Sequence, residues 1–83
     1  NKMEYREEIY NEVIQEYSEL TYFPKRDKFN HHYDDVQNII SNLVDLVMEF
    51  GDDVYTVINL NDYTFSELKD YKYLENQILN YTN

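Results

Sequence analysis

The strongest constraint on the fold is a run of apolar residues spaced three and four apart in the middle of the chain. The stripe comprises Val36, Ile39, Ile40, Leu43, Val47 and Phe50, widened by Tyr33, Val44 and Leu46. This spacing places the apolar side chains on one side of an α-helix. Asn30 is a candidate N-cap before the stripe, and Gly51, the only glycine, follows it where a left-handed C-cap residue is favoured. The pattern predicts a central core helix over about 31–50.

A second helix is predicted over about 3–20. On a helical wheel one side carries Tyr5, Ile9, Tyr10, Val13, Ile14, Tyr17 and Leu20, and the glutamates fall on the other side. We interpret the apolar side as core packing. Pro24 disfavours helical geometry at Phe23, so the helix should end near residues 20–22. The loop that follows contains Lys25, Arg26 and Lys28, which either neutralise neighbouring acidic helices or contact carboxylates of a partner.

A third main helix is predicted in the last third of the chain, and a short element precedes it. Thr64 or Ser66 is the expected start of this helix. With Thr64 as the cap, Glu67 has the spacing of a capping box, and apolar residues recur along one face from Phe65 to Tyr81, which predicts a helix over 65–81. The β-branched content of residues 53–60 is compatible with either a short helix or a strand. Asp52 and Asp53 are possible caps of this element. A lone strand would need a partner, so a short helix is favoured. The expected fold is an all-α bundle of three main helices in a single domain, 1–83.

The charge balance restricts the possible partners. Acidic residues outnumber basic residues 17 to 7, for a formal net charge of -10. Such a chain is repelled by DNA, RNA and anionic membranes, so the expected partner is a basic protein. The chain has no cysteine, and no apolar run approaches the roughly 20 residues that span a bilayer. We therefore expect a cytoplasmic protein, in the reducing cytosol of a bacterial host.

Catalytic motifs are missing from the sequence. A single glycine cannot build a phosphate-binding loop, and there is neither a cysteine nucleophile nor a Gly-x-Ser-x-Gly elbow. His31 and Asp35 could supply two metal ligands from one helix face, fewer than the three or four that a site needs. We predict no catalytic residue, no metal and no cofactor, and hence a protein that is not an enzyme.

The clearest functional pattern is a ladder of glutamates in the first helix. Glu4, Glu8, Glu12 and Glu16 recur every four residues, which places successive carboxylates about 6 Å apart along a helix, close to the spacing of phosphates in a nucleic-acid strand. Like charges at this spacing destabilise a helix, so folding alone would not select them. The alternative interpretation is a solvated helix face. The candidate partner-binding residues are Glu4, Glu8, Glu12, Glu16, Glu19, Asp34, Asp45, Glu49, Asp52 and Asp53.

In size, acidity and helical character, the whole chain resembles small inhibitors encoded by phages and mobile elements. These include DNA-mimicking anti-restriction proteins and anti-CRISPR proteins. The resemblance implies an inhibitor that occupies the basic nucleic-acid-binding groove of a host nuclease or another DNA- or RNA-binding protein. The chain is also similar to the small, acidic, helical immunity proteins of colicin nucleases, which implies the alternative of an immunity protein or antitoxin that neutralises one cognate toxin. A third possibility is a helical protein that assembles with itself.

Overall fold

The computed structural model describes residues 2–22 and 30–82, without the side chains of residues 2, 21, 22 and 30–33. This part of the chain is helical and contains no strand, which confirms the all-α prediction. Its α-helices are α1 (Lys2–Glu16), α2 (Asn30–Phe50), α3 (Asp53–Val57), α4 (Phe65–Leu68) and α5 (Tyr71–Thr82). Two 3₁₀ turns lie between these helices: Ser18–Tyr22 follows α1, and Leu60–Asp62 lies between α3 and α4.

The central helix α2 is the one that the apolar stripe predicted. Its buried residues are Val36, Ile39, Ile40, Leu43, Val44, Leu46 and Val47. Side chains from α1, α3, α4 and α5 join them in one core, with Phe50 partly buried at its edge. Gly51 ends the helix with φ of 73°, a conformation that residues with a Cβ rarely adopt, and its N–H donates to the Val47 carbonyl at 2.8 Å.

The apolar side of α1 is narrower than predicted. Ile9, Val13 and Tyr17 are buried, but Tyr5 is 50% exposed and Tyr10 is 40% exposed. Tyr5 and Tyr10 lie on opposite edges of the stripe that Val13 centres, where a tyrosine ring can pack while its hydroxyl stays in water. The prediction that both belong to the core is wrong. After Glu16 the chain continues as the 3₁₀ turn to Tyr22, close to the predicted end.

The short element after α2 is a helix, as favoured, but it is shorter than the predicted 53–60. α3 ends at Val57 because the backbone of Ile58 is extended. Asp52 occupies the N-cap position with helical dihedral angles, and its side chain makes no capping hydrogen bond. The predicted capping role of Asp52 is therefore wrong.

The C-terminal helix predicted over 65–81 is divided into α4 and α5. The capping box is confirmed, because the Glu67 N–H donates to Thr64 Oγ1 at 3.1 Å and the Thr64 N–H donates to Glu67 Oε1 at 2.8 Å. Asp70 then starts a new helix by accepting a hydrogen bond from the Tyr73 N–H at 3.1 Å.

The end of α4 is hydrogen-bonded to α2, and only part of the predicted apolar face of α5 is buried. The Asn42 amide donates to the Leu68 carbonyl at 3.1 Å, which satisfies the end of α4 from the side of α2. Ile78 is buried as predicted, and of the two candidates Leu74 and Glu75 it is Leu74 that is buried. Tyr81 is 60% exposed and does not belong to the core face.

Candidate functional site

Two tyrosines, one just after α1 and one on α3, connect these two helices through their side chains. The buried Tyr17 hydroxyl donates to the Ile58 carbonyl at 2.8 Å, just beyond the end of α3. The ring of Tyr17 packs on that of Tyr55, with centroids 5.6 Å apart and planes tilted by 44°. The Tyr55 hydroxyl in turn donates to Glu12 Oε1 at 2.8 Å. A continuous set of contacts thus connects the core to a carboxylate on α1.

Four carboxylates surround Tyr55 in what we call the acidic cleft, defined by Glu12, Glu16, Glu19, Asp52 and Tyr55. It consists of two adjoining open hollows of about 460 and 240 Å³, and Glu16 and Tyr55 line both. Thr56, Asn59 and Leu60 complete the wall of the smaller hollow. The residues that define the cleft can accept hydrogen bonds from a cationic group and can pack against it.

The phenols of Tyr55 and Tyr17 are protonated at neutral pH. Burial raises the pKa of Tyr55 well above its usual value, and the hydrogen bond to Glu12 and the charges of Glu12 and Glu16 raise it further. Burial is also the main cause of the raised pKa of Tyr17, with the charge of Glu16 adding to it. Tyr55 therefore acts as a hydrogen-bond donor to Glu12.

The basic side chains that the structure describes lie elsewhere. Arg6 Nη1 is 2.6 Å from Asp45 Oδ1, Lys69 Nζ is 3.5 Å from Asp35 Oδ1, and Lys72 Nζ is 3.4 Å from Glu75 Oε1. None of these three cations forms an ion pair with a carboxylate of the acidic cleft.

A second tyrosine–carboxylate contact lies among these ion pairs, along α2. The Tyr71 hydroxyl donates to Glu49 Oε2 at 3.1 Å. Burial raises the pKa of Tyr71 to about 12, helped by the hydrogen bond to Glu49 and by nearby carboxylates. We call this region the paired seam, defined by Asp35, Asp45, Glu49, Tyr71 and Glu75.

The structure places the predicted partner-binding residues in three groups. Glu12, Glu16, Glu19 and Asp52 meet in the acidic cleft, whereas Asp45 and Glu49 belong to the paired seam. The remaining predicted residues are exposed on the helices and in neither group: Glu4, Glu8, Asp34 and Asp53.

The glutamate ladder does not form one straight row. Four residues at 100° each overshoot a full turn by about 40°, so the direction of each carboxylate rotates relative to the one before it. From Glu4 to Glu16 the rotation reaches about 120°. The later half of the ladder therefore faces α3, where Glu12 is half-buried, and the earlier half faces solvent.

Tyr55 is the site residue that sequence reasoning missed. It lies in the element that was ambiguous between helix and strand, and its partner Glu12 is 43 residues away along the chain. No local pattern connects the two. The only available signal was that Tyr55 comes three residues after Asp52 in a short acidic helix.

Several predictions concern side chains that the structure does not describe: the roles of Lys25, Arg26 and Lys28, the capping role of Asn30, the metal-ligand geometry of His31 and the place of Tyr33 in the apolar stripe. Among the described residues, no group of three or more histidine or acidic side chains is placed to hold a metal ion. None of the described helices combines the length and the apolar character needed to cross a membrane. No protein-family model, curated protein or solved structure matches the chain.

Proposed function

We propose that this protein is an inhibitor that binds the basic nucleic-acid-binding groove of a nuclease or another DNA- or RNA-binding protein, presenting carboxylates in place of phosphates. In this proposal it acts by binding rather than by catalysis, as anti-restriction and anti-CRISPR proteins of phages do. Its surface competes with the nucleic acid for the same lysines and arginines.

The observation that carries the proposal is the position of the described cations relative to the carboxylates. Arg6, Lys69 and Lys72 each pair with an acidic side chain outside the acidic cleft. The carboxylates of the cleft are consequently not neutralised by any of these three cations, in a chain whose net charge is -10. A groove built for phosphates supplies the complementary charge, and such complementarity gives fast association that weakens with salt.

The test is capture of a target, followed by competition with its nucleic acid. The tagged protein is incubated with bacterial lysate and washed at low and then high salt, and the retained proteins are identified by mass spectrometry. We expect a nuclease or other nucleic-acid-binding protein that high salt releases. Purified target should then be displaced from the inhibitor by its own DNA or RNA.

Two variants of equal net charge locate the binding surface. The cleft variant carries Glu16→Gln, Glu19→Gln and Asp52→Asn, and the seam variant carries Asp35→Asn, Asp45→Asn and Glu75→Gln. The cleft variant should lose the target, while the seam variant should retain it. Equal loss in both variants, or a target that nucleic acid does not displace, would contradict the proposal.

The experiment also tests the alternative of an immunity protein or antitoxin. Tyr55, an aromatic side chain between the cleft carboxylates, is the observation that favours a compact binding patch, because a few aromatic residues often dominate the affinity of a specific interface. A single toxin that remains bound in high salt, and that Tyr55→Ala releases, would support this alternative.

A further inference from the structure

We propose that Tyr55 is a positioning residue that holds Glu12 as the fixed anchor of the acidic cleft, the carboxylate on which a guanidinium group of the partner is received. This inference rests on the proposed function and identifies which carboxylate matters most for it. Tyr55 acts through Glu12 and need not itself contact the partner.

The contacts that hold Glu12 begin in the core. Tyr17 is 5% exposed, and its hydroxyl donates to the Ile58 carbonyl at 2.8 Å. This bond fixes the ring on which Tyr55 packs, at a centroid distance of 5.6 Å. Tyr55 is itself half-buried, so its hydroxyl has a defined direction. The Glu12 carboxylate receives that hydroxyl at 2.8 Å and is thereby tied to the core through two tyrosines.

A fixed carboxylate binds a cation better than a mobile one. Immobilising a flexible side chain at an interface has a free-energy cost, and a glutamate has several rotatable bonds. The Glu12 side chain is already ordered in the folded protein, so this cost does not arise again on binding. A carboxylate offers about four lone-pair positions, so the single bond from Tyr55 leaves capacity for a guanidinium, whose planar fork matches carboxylate geometry.

Glu49 in the paired seam shows why the hydrogen bond alone does not make an anchor. Glu49 also accepts from a tyrosine, at 3.1 Å from the Tyr71 hydroxyl. Its neighbour one turn earlier on α2 is Asp45, which already pairs with Arg6 at 2.6 Å. At the cleft, Glu16 and Asp52 line the same hollow as Glu12, and none of the described cations pairs with them. Among the described side chains, Glu12 therefore has neighbouring carboxylates that lack an ion pair with a described cation, and these carboxylates attract an incoming cation.

The experiment uses a peptide of nine arginines as the probe and measures its Kd by calorimetry at fixed ionic strength. Tyr55→Phe removes only the hydroxyl and should weaken binding by about two- to tenfold, the range expected when one side chain must be ordered on binding. The matched variant Tyr71→Phe, which removes the corresponding bond in the paired seam, should leave Kd within about twofold of the wild-type value.

A double-mutant cycle separates positioning from general structural damage. If Tyr55 acts through Glu12, then Tyr55→Phe should have no further effect in a Glu12→Gln background. NMR provides the second readout: the side-chain couplings of Glu12 should indicate a single χ1 rotamer in the wild type and averaged rotamers in Tyr55→Phe, as for Glu8 in both proteins.

The possible failures are distinguishable. If the wild type does not bind the peptide even at low salt, the proposed function and the anchor are both overturned. If the wild type binds but Tyr55→Phe binds equally well, or weakens binding equally with and without Glu12, only the anchor is overturned. Averaged Glu12 rotamers in the wild type would overturn the anchor as well.

Discussion

The acidic cleft and the paired seam are built from the same kinds of groups and differ in what surrounds them. In each, a tyrosine hydroxyl donates to a glutamate, Tyr55 to Glu12 in the cleft and Tyr71 to Glu49 in the seam. In the seam, the described basic side chains pair with the neighbouring carboxylates. In the cleft, none of those basic side chains pairs with the surrounding acids.

The number of acidic residues alone does not identify a binding surface in this protein. Both regions are acidic, and both contribute residues to the predicted partner-binding set. What distinguishes them is where the few described cations lie, because a carboxylate with an intramolecular partner has less to gain from an external one. The functional proposal therefore depends on the contrast between two regions and can be tested by perturbing each in the same way.

The largest expected effect tests whether the acidic cleft is tied to the core. Tyr17→Phe should lower the free energy of unfolding by about 1–3 kcal/mol, because the Ile58 carbonyl loses its buried hydrogen-bond donor. Urea unfolding monitored by circular dichroism measures it. A change below about 0.5 kcal/mol would mean that this hydrogen bond does not hold α3 against α1, and the cleft would lose its structural basis.

Most of the helical architecture follows from the sequence, because apolar periodicity reports directly which residues a helix can bury. The stripe of α2, its end at Gly51 and the capping box at Thr64 were all predicted from local patterns. The break between α4 and α5 was not predicted. It depends on Asp70 competing as an N-cap within a continuous apolar pattern, and on the Asn42 amide reaching the Leu68 carbonyl across the bundle.

The candidate site was accessible to sequence reasoning only in part. Periodicity identified the glutamates of α1 but could not show that helical rotation turns Glu12 and Glu16 towards α3. The sequence pattern also makes Asp45 and Glu12 equal candidates for partner binding. Their difference arises from long-range contacts, with Arg6 on one and Tyr55 on the other, separated by 39 and 43 residues along the chain. Such contacts depend on how the helices pack, which a local pattern does not encode.

The tyrosine–glutamate contacts of the acidic cleft and the paired seam should contribute to stability over different ranges of pH. The pKa of Tyr71 is raised from 10.0 to about 12, so the fold favours the neutral phenol. Its contribution to stability is complete below pH 10 and is lost as pH rises towards 12. At neutral pH Tyr71→Phe should cost about 0.5–1 kcal/mol, less than the roughly 1.5–3 kcal/mol of a hydrogen bond to a charged group, because solvent screens the site.

Unfolding measured between pH 7 and pH 12 checks this prediction. The difference in stability between the wild type and Tyr71→Phe should shrink as pH rises above 10. The pKa of Tyr55 is raised further than that of Tyr71, so the corresponding difference for Tyr55→Phe should persist to higher pH. A Tyr71→Phe difference that stays constant across this range would contradict the assigned hydrogen bond.

The smallest expected effects are changes in stability of opposite sign on α1 and in the paired seam. Glu8→Gln combined with Glu16→Gln should stabilise the protein by a few tenths of a kcal/mol, because it removes repulsion between glutamates four residues apart on α1. Asp45→Asn should instead destabilise it by about 0.2–1 kcal/mol, since it removes the ion pair with Arg6. Thermal unfolding at low ionic strength measures both, and both effects should shrink in 1 M salt, where the screening length is about 3 Å. If neutralising Glu8 and Glu16 destabilised the protein, these carboxylates would be satisfied within the fold, and the part of the acidic cleft that Glu16 forms would resemble the paired seam.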